Sequence, residues 1–339
     1  MNRRSLIGIF KANTPQHPWI LFPLYIGAMI FGLDGSAPEW GMIILFLITV
    51  NILVGVAAFS NTYADRDEDQ IFVPSSPLLT DELDVGTAKK AFILQNILGG
   101  LLLITLLVVT LNYWLIIAMA IGWAVGLTYS LPPLRFKETV ACPFFFSLGL
   151  ALLPIVAWLT VAPLDDFIIA FAAFWFVVCL SFAVSLTKLR KTFDALTGEH
   201  IQVESGESVW DLRDIGLKLK IKTAVALEAI LGLGAFILVP IFWHQGIFDM
   251  ALSIALLTLP LAFMILTVVF RIKDPLKNTR KCEQFAGMSY NFIILSFFAV
   301  ALTSVVHWGV AILACIIFLI GFILLLRYVH PFGPAYRPL

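Results

Sequence analysis

Charge is scarce in this chain. Asp, Glu, Lys and Arg make up 13% of its 339 residues, about half their share in a soluble globular domain. Cysteine is scarce as well: Cys142, Cys179, Cys282 and Cys315 are scattered, with no CxxC pair. That spacing argues against a zinc ribbon or a dithiol centre and leaves the four as small apolar fillers. His17, His200, His244, His307 and His330 are isolated, without the repeated spacing of a haem or metal site. No small-residue cleavage site follows the basic opening around Arg3 and Arg4, so no removable signal peptide is expected. Net charge is zero, and no nucleic-acid partner is expected.

What the chain has instead is apolar length. Sixty per cent of its residues are hydrophobic and the mean hydropathy is +0.96. Stretches of the roughly 20 residues needed to cross a hydrocarbon core about 30 Å thick recur along it. They are expected near 18–33, 40–60, 91–110, 114–130, 141–161, 167–186, 223–243, 250–270, 288–306 and 309–326. The fold class is therefore all-α: one polytopic membrane domain over residues 1–339, with about nine or ten transmembrane helices in the lipid bilayer. With ten spans and a cytoplasmic N-terminus, all 22 Lys and Arg residues fall on one side, while the opposite turns hold acids such as Asp34, Glu39, Asp165, Asp166 and Asp249. The positive-inside rule then places the N-terminus and the long loops in the cytoplasm of a bacterial, archaeal or organelle membrane.

Polarity is concentrated in the loops at 61–90, 129–140 and 187–222, where a functional site is expected. The first opens with Asn61-Thr-Tyr-Ala-Asp65-Arg-Asp67-Glu68-Asp69. On a continuing helix, residues four apart are about 6 Å and 40° from one another, so Asn61, Asp65 and Asp69 share a stripe. Such an oxygen stripe suits a hard cation like magnesium, which is held by one or two carboxylates plus substrate phosphates. A solvated acidic cap is the plainer account. Against it, carboxylates at a helix C-terminus oppose the macrodipole unless a cation compensates them. A second element, Tyr129-Ser-Leu-Pro132-Pro133-Leu-Arg135-Phe-Lys137, follows the fourth span. Its prolines stop the helix and stiffen the turn, presenting two cations that can hold phosphate oxygens or simply anchor the loop.

Together these two elements resemble the UbiA-type membrane prenyltransferases, with their Asn-x-x-x-Asp-x-x-x-Asp and Tyr-x-x-Pro-Pro-Leu-Arg/Lys-x-Lys motifs. Between them, Pro74-Ser-Ser76-Pro77-Leu-Leu-Thr80-Asp-Glu-Leu83 is similar to the family's Arg-Pro-Leu-x-x-Gly segment, with Ser76 where arginine usually stands. The resemblance implies a helical bundle around a central cavity, a tunnel for an isoprenoid tail, and Mg2+-dependent transfer of a polyprenyl group from its diphosphate to an aromatic or other hydrophobic acceptor. It implies magnesium on Asn61, Asp65 and Asp69, with Asp65, Asp69 and Lys137 in catalysis and Tyr129, Arg135 and Lys137 on the diphosphate.

The family's second acidic run is degenerate here. The matching segment reads Thr192-Phe-Asp194-Ala195-Leu-Thr-Gly198-Glu199, so the resemblance nominates Asp194 and Glu199 as further metal ligands, ahead of Asp211 and Asp214. Lys188, Arg190 and Lys191 either hold phosphate or anchor the helix. The altered run keeps open an intramembrane terpene cyclase or diphosphate lyase. A non-catalytic isoprenoid-binding protein or a transporter is the remaining alternative, and a transporter predicts broken spans and an internal repeat. Within the spans, Glu228 is expected to snorkel towards Lys222 or another basic loop group, and Asn51 and Asn96 to bond between helices or line a cavity. Phe144, Phe145, Phe146 and Phe174 are candidates for a prenyl tunnel, unranked.

Overall fold

The computed structural model describes residues 3–66, 76–80, 82–139, 141–184, 221–273 and 279–329, and no strand occurs among them. A short amphipathic helix, α1 (Arg3–Ala12), precedes α2 (Gln16–Leu33), α3 (Trp40–Ala64), α4 (Val85–Thr110) and α5 (Tyr113–Ser130). A 3-10 turn at Phe136–Glu138 leads to α6 (Cys142–Leu159) and α7 (Asp166–Val184). Then come α8 (Ile221–His244), α9 (Met250–Leu256), α10 (Leu259–Lys273), α11 (Thr279–Thr303) and α12 (Trp308–Val329).

Nine stretches among the described residues are long and apolar enough to cross a bilayer, with α9 and α10 counted as one. The tenth expected span is the shorter apolar part of α2, Pro18–Leu33. The chain is an integral membrane protein. Although short, α2 lies against α6, α11 and α12, and α7 lies among α6, α8 and α11. Their shared core is aromatic: Tyr25, Phe171, Phe174, Trp175 and Phe297 are all fully buried. Phe171 stacks on Phe297 with ring centres 3.9 Å apart, and Trp175 meets Tyr290 at 4.5 Å. Burial falls from 61% of the membrane-length window of α7 to 6% of that of α12, which puts α12 at the rim.

Helix ends follow from local chemistry. Asp84 accepts the Thr87 N–H at 2.8 Å and starts α4 six residues before the apolar run; these hydrogen bonds hold its carboxyl below the usual carboxylate range. Two of the acids expected in the opposite turns have the same use: Asp165 accepts from Ile168 N at 3.0 Å and Asp249 from Leu252 N at 2.6 Å. The span expected as continuous over 250–270 is broken between α9 and α10, because Pro260 has no N–H to close the turn before it. Ser296 and Ser289 of α11 donate to the carbonyls of Ala255 (3.4 Å) and Pro260 (2.7 Å), so polar backbone at the break is met from within the bundle.

Asn51 and Asn96 donate to Leu47 O (2.7 Å) and Phe92 O (2.8 Å) of their own helices rather than across to others, and Asn51 lines a cleft, the alternative expected for it. Glu228 does not snorkel. It is 1% exposed and its Oε2 accepts from Arg271 Nε of α10 at 3.0 Å, while Ser181 Oγ of α7 donates to the Glu228 carbonyl at 2.9 Å. Arg271 is also 1% exposed, so the pair ties three helices together inside the bundle. Pairing is cheaper than extending a carboxylate to water because the partner lies on an adjacent helix at the same level. Removing one member strands a buried charge, whereas removing both leaves an apolar contact. We expect Glu228→Leu or Arg271→Leu alone to lower stability by about 3–5 kcal/mol, and the double variant to recover most of that loss, as measured by unfolding in detergent micelles. A double variant no more stable than the worse single one would contradict the pairing.

Candidate functional site

Helix α3 carries Asn61 in its last turn and ends on Asp65, whose N–H bonds to Asn61 O at 2.9 Å. The two side chains are therefore one helical repeat apart on the same face. Helix α5 reaches that face because Gly126 has no side chain: a Cβ there would lie 2.6 Å from Ala57 Cβ. One turn later Ser130, fully buried, donates its hydroxyl to Asn61 Oδ1 at 2.9 Å. Ser130 was not among the expected site residues. The available signal was its place next to Tyr129, a lone hydroxyl at the end of an apolar helix.

Beyond Ser130 the chain turns sharply. Leu131 is extended, the Pro132–Pro133 peptide is cis, and Arg135 adopts the left-handed conformation (φ 37°, ψ 58°). The 3-10 turn follows, pinned to α6 by Phe136 stacking on Phe145 with ring centres 3.8 Å apart. This geometry returns both cations to the end of α3. Arg135 Nη2 lies 3.4 Å from Asp65 Oδ1, and Lys137 Nζ makes a close ion pair with the same oxygen. The side chains of Asp65 and Lys137 are 11% and 9% exposed. A carboxylate at the negative end of a helix is thus held, largely away from water, by two cations from the turn that follows α5.

Tyr129 faces a different neighbour. Its hydroxyl is 3.5 Å from Cys142 Sγ, and its ring lies against Phe146. Of the aromatic candidates, Phe174 is buried in the core and Phe144 is 49% exposed. Ser76 is 2% exposed and its Oγ has no hydrogen-bond partner among the described residues. The segment around it is covered by α1: Lys11 pairs with Glu82 at 2.8 Å, Arg4 donates to Thr80 O, and Thr62 Oγ1 donates to Ala12 O. Asp69, Lys188, Arg190, Asp194 and Glu199 lie outside the described residues, as do Asp211 and Asp214. No cluster of three or more His, Cys, Asp or Glu occurs among the described residues. The described oxygen donors of the stripe are Asn61 and Asp65, a pair whose chemistry suits a hard cation.

The model of the UbiA prenyltransferase family matches residues 20–293. The chain belongs to that family. UbiA membership thus extends from α2 into α11, and α12 lies beyond the matched stretch. Solved structures with the same fold include a digeranylgeranylglyceryl phosphate synthase, 19% identical, with TM-score 0.64 over 88% of this chain and 99% of that one. A UbiA homologue from Archaeoglobus fulgidus bound to GPP and Mg2+ is 16% identical, with TM-score 0.59 over 86% of this chain and 99% of that one. The same homologue bound to Cd2+ gives 19% identity and TM-score 0.54 over 87% and 99%. No curated protein matches the sequence.

Within this cluster of the UbiA-family chain Arg135 stands out, since an arginine in the left-handed region costs about 1–2 kcal/mol that glycine does not. Arg135→Gly and Arg135→Ala both remove the guanidinium, but only glycine relieves the backbone. We expect the glycine variant to be more stable than the alanine variant by about 1 kcal/mol in chemical unfolding. Equal stabilities would show that the turn relaxes without strain.

Proposed function

We propose that this protein transfers a polyprenyl group from its diphosphate to an aromatic or other hydrophobic acceptor within the membrane. The observation that carries the reading is the convergence of Asn61, Asp65, Arg135 and Lys137 at the end of α3, in a chain of the UbiA family. The relative bound to GPP and Mg2+ supports an isoprenoid diphosphate as donor and magnesium as cofactor.

Asn61 Oδ1 and the Asp65 carboxylate, joined by Asp69, are the groups that would hold magnesium, and bound magnesium would supply positive charge to the diphosphate oxygens. Ser130 fixes the orientation of Asn61. Arg135 and Lys137, already placed beside Asp65, would turn to the diphosphate as its negative charge arrives, with the Tyr129 hydroxyl as a further donor. Asp194, Glu199, Lys188 and Arg190 are proposed for the far side of the diphosphate on sequence alone. As the allylic C–O bond breaks, its electron pair leaves on the diphosphate. The acceptor gives an electron pair to the allylic carbon and releases a proton. Fixed cations in a site poor in water favour the leaving charge more than solvent does. The lysine and arginine distribution supports a cytoplasmic position for the site and the N-terminus.

The reading is tested by incubating the purified protein with geranylgeranyl diphosphate and Mg2+ and measuring diphosphate release with and without candidate acceptors. We expect release that chelation abolishes and that Asp65→Ala lowers by about 100-fold or more. Full activity in Asp65→Ala would overturn the site. Release without coupling to any acceptor would favour a cyclase or lyase, and no release at all would favour a non-catalytic isoprenoid-binding protein.

A further inference from the structure

Helix α1 is held by little of the bundle. Its ten residues are too few for a helix that is stable by itself in water. The positions it buries fully are Gly8 and Ala12, its two smallest side chains. Leu6 and Phe10, one turn apart, are instead 52% and 47% exposed. They border an open cleft of about 400 Å3 under α1, whose walls include Ile9, Pro18 and Ile52. The apolar burial that would fix α1 in place has to come from outside the chain.

The tryptophans give the level at which α1 lies. Trp40, Trp114 and Trp308 begin α3, α5 and α12, Trp243 ends α8, and all four are exposed, as rings at one membrane interface are. Thr62 follows Trp40 by 22 residues on α3, about 33 Å along the axis, which is longer than a hydrocarbon core of about 30 Å. Thr62 Oγ1 donates to Ala12 O at 3.3 Å, so α1 ends in the headgroup layer on the Asp65 side. From there it crosses the end of the bundle. Phe10 and Lys11 meet the Tyr328 ring of α12, Gly8 packs on Leu83 before α4, and Arg4 Nη2 donates to Thr80 O at 3.2 Å.

In that layer the free charge is positive. Arg3 and Arg4 are exposed, as are Lys89 and Lys90 at the start of α4, and Arg3 has no partner among the described residues. The described acids of the adjoining segment are engaged: Glu82 pairs with Lys11 at 2.8 Å, and Asp84 caps α4. Arg3, Leu6 and Phe10 fall within about 60° of one another around the helix, so one stripe carries a cation beside apolar groups. We propose that α1 is a binding surface for anionic phospholipid headgroups. The lipid phosphates accept from Arg3 and from the guanidinium protons of Arg4 not used on Thr80, while the chains cover Leu6 and Phe10 and fill the cleft. Lipid bound in this way seats α1 on the segment that joins α3 to α4. The surface is independent of the proposed transfer reaction.

The test places the full chain in nanodiscs of phosphatidylcholine alone or of an equal mixture with phosphatidylglycerol, and follows amide hydrogen exchange by peptide mass spectrometry. We expect the α1 amides to exchange more slowly in the mixed nanodiscs, by about fivefold for each arginine engaged, and high salt to remove the difference. Arg3→Gln should lose about one such factor in the mixed nanodiscs and change nothing in phosphatidylcholine, with Arg3→Lys keeping the slower exchange. Because Arg3 touches no described partner, thermal unfolding is expected to be unchanged in both variants. Equal exchange of α1 in the two membranes would overturn the proposal. So would slowing by inorganic phosphate in phosphatidylcholine nanodiscs to the level reached with phosphatidylglycerol, which would mark a site for a soluble anion.

Discussion

Inside a bilayer a charge or an amide has no water to turn to, and this fold is organised by how each such group is met. Apolar packing drives the helices together but is tolerant of sliding and rotation. The buried ion pairs are not tolerant: Asp65 needs Lys137 and Arg135, and Glu228 needs Arg271, across helices far apart in sequence. Each pair sets the height and rotation of one helix against another. Hydroxyls do the same for backbone, as Ser289 does beside the α9–α10 break and Ser181 at Glu228.

This constraint explains why the site at the end of α3 is ready before any ligand arrives. Asp65 stands where the helix dipole disfavours an anion, and the Pro132–Lys137 turn brings it two cations. In the proposed reaction those cations would meet a second anion and the carboxylate a second cation. Exchange of partners between a metal and a diphosphate would then need little reorganisation, which is the property that makes fixed charge effective in a site poor in water. The left-handed Arg135 fits this account, since backbone strain persists where neighbouring structure over-determines a residue. The Phe136–Phe145 stack supplies that constraint.

The two buried pairs have different settings. Glu228 and Arg271 are sealed, with exposures of 1%, and three helices close around them, so they serve register. Asp65 and Lys137 are slightly open and lie at a helix end beside polar loops, so a ligand can reach them. Ser76, at the position where the sequence resemblance implies arginine, contributes no charge, and its hydroxyl has no hydrogen-bond partner among the described residues.

The membrane class, the span positions and the two motifs were legible in the sequence because they depend on local properties: hydrophobic length, spacing of four on a helix, and proline's missing N–H. The Asn61–Asp65 stripe needs nothing beyond helical periodicity, and the need for a cation near it follows from the dipole. Partners were not legible. Nothing near Glu228 in sequence names Arg271, and snorkelling to Lys222 was the local solution; packing of α8 on α10 made another available. Ser130 became a neighbour of Asn61 only through the close approach at Gly126. The break before Pro260 was local in cause, but its hydroxyl partners on α11 were not. Sequence by itself determined which residues had to lie in lipid and which could not stay there alone. The tertiary structure decided who met whom, because contacts between helices depend on their rotation and height, and no single helix carries that information.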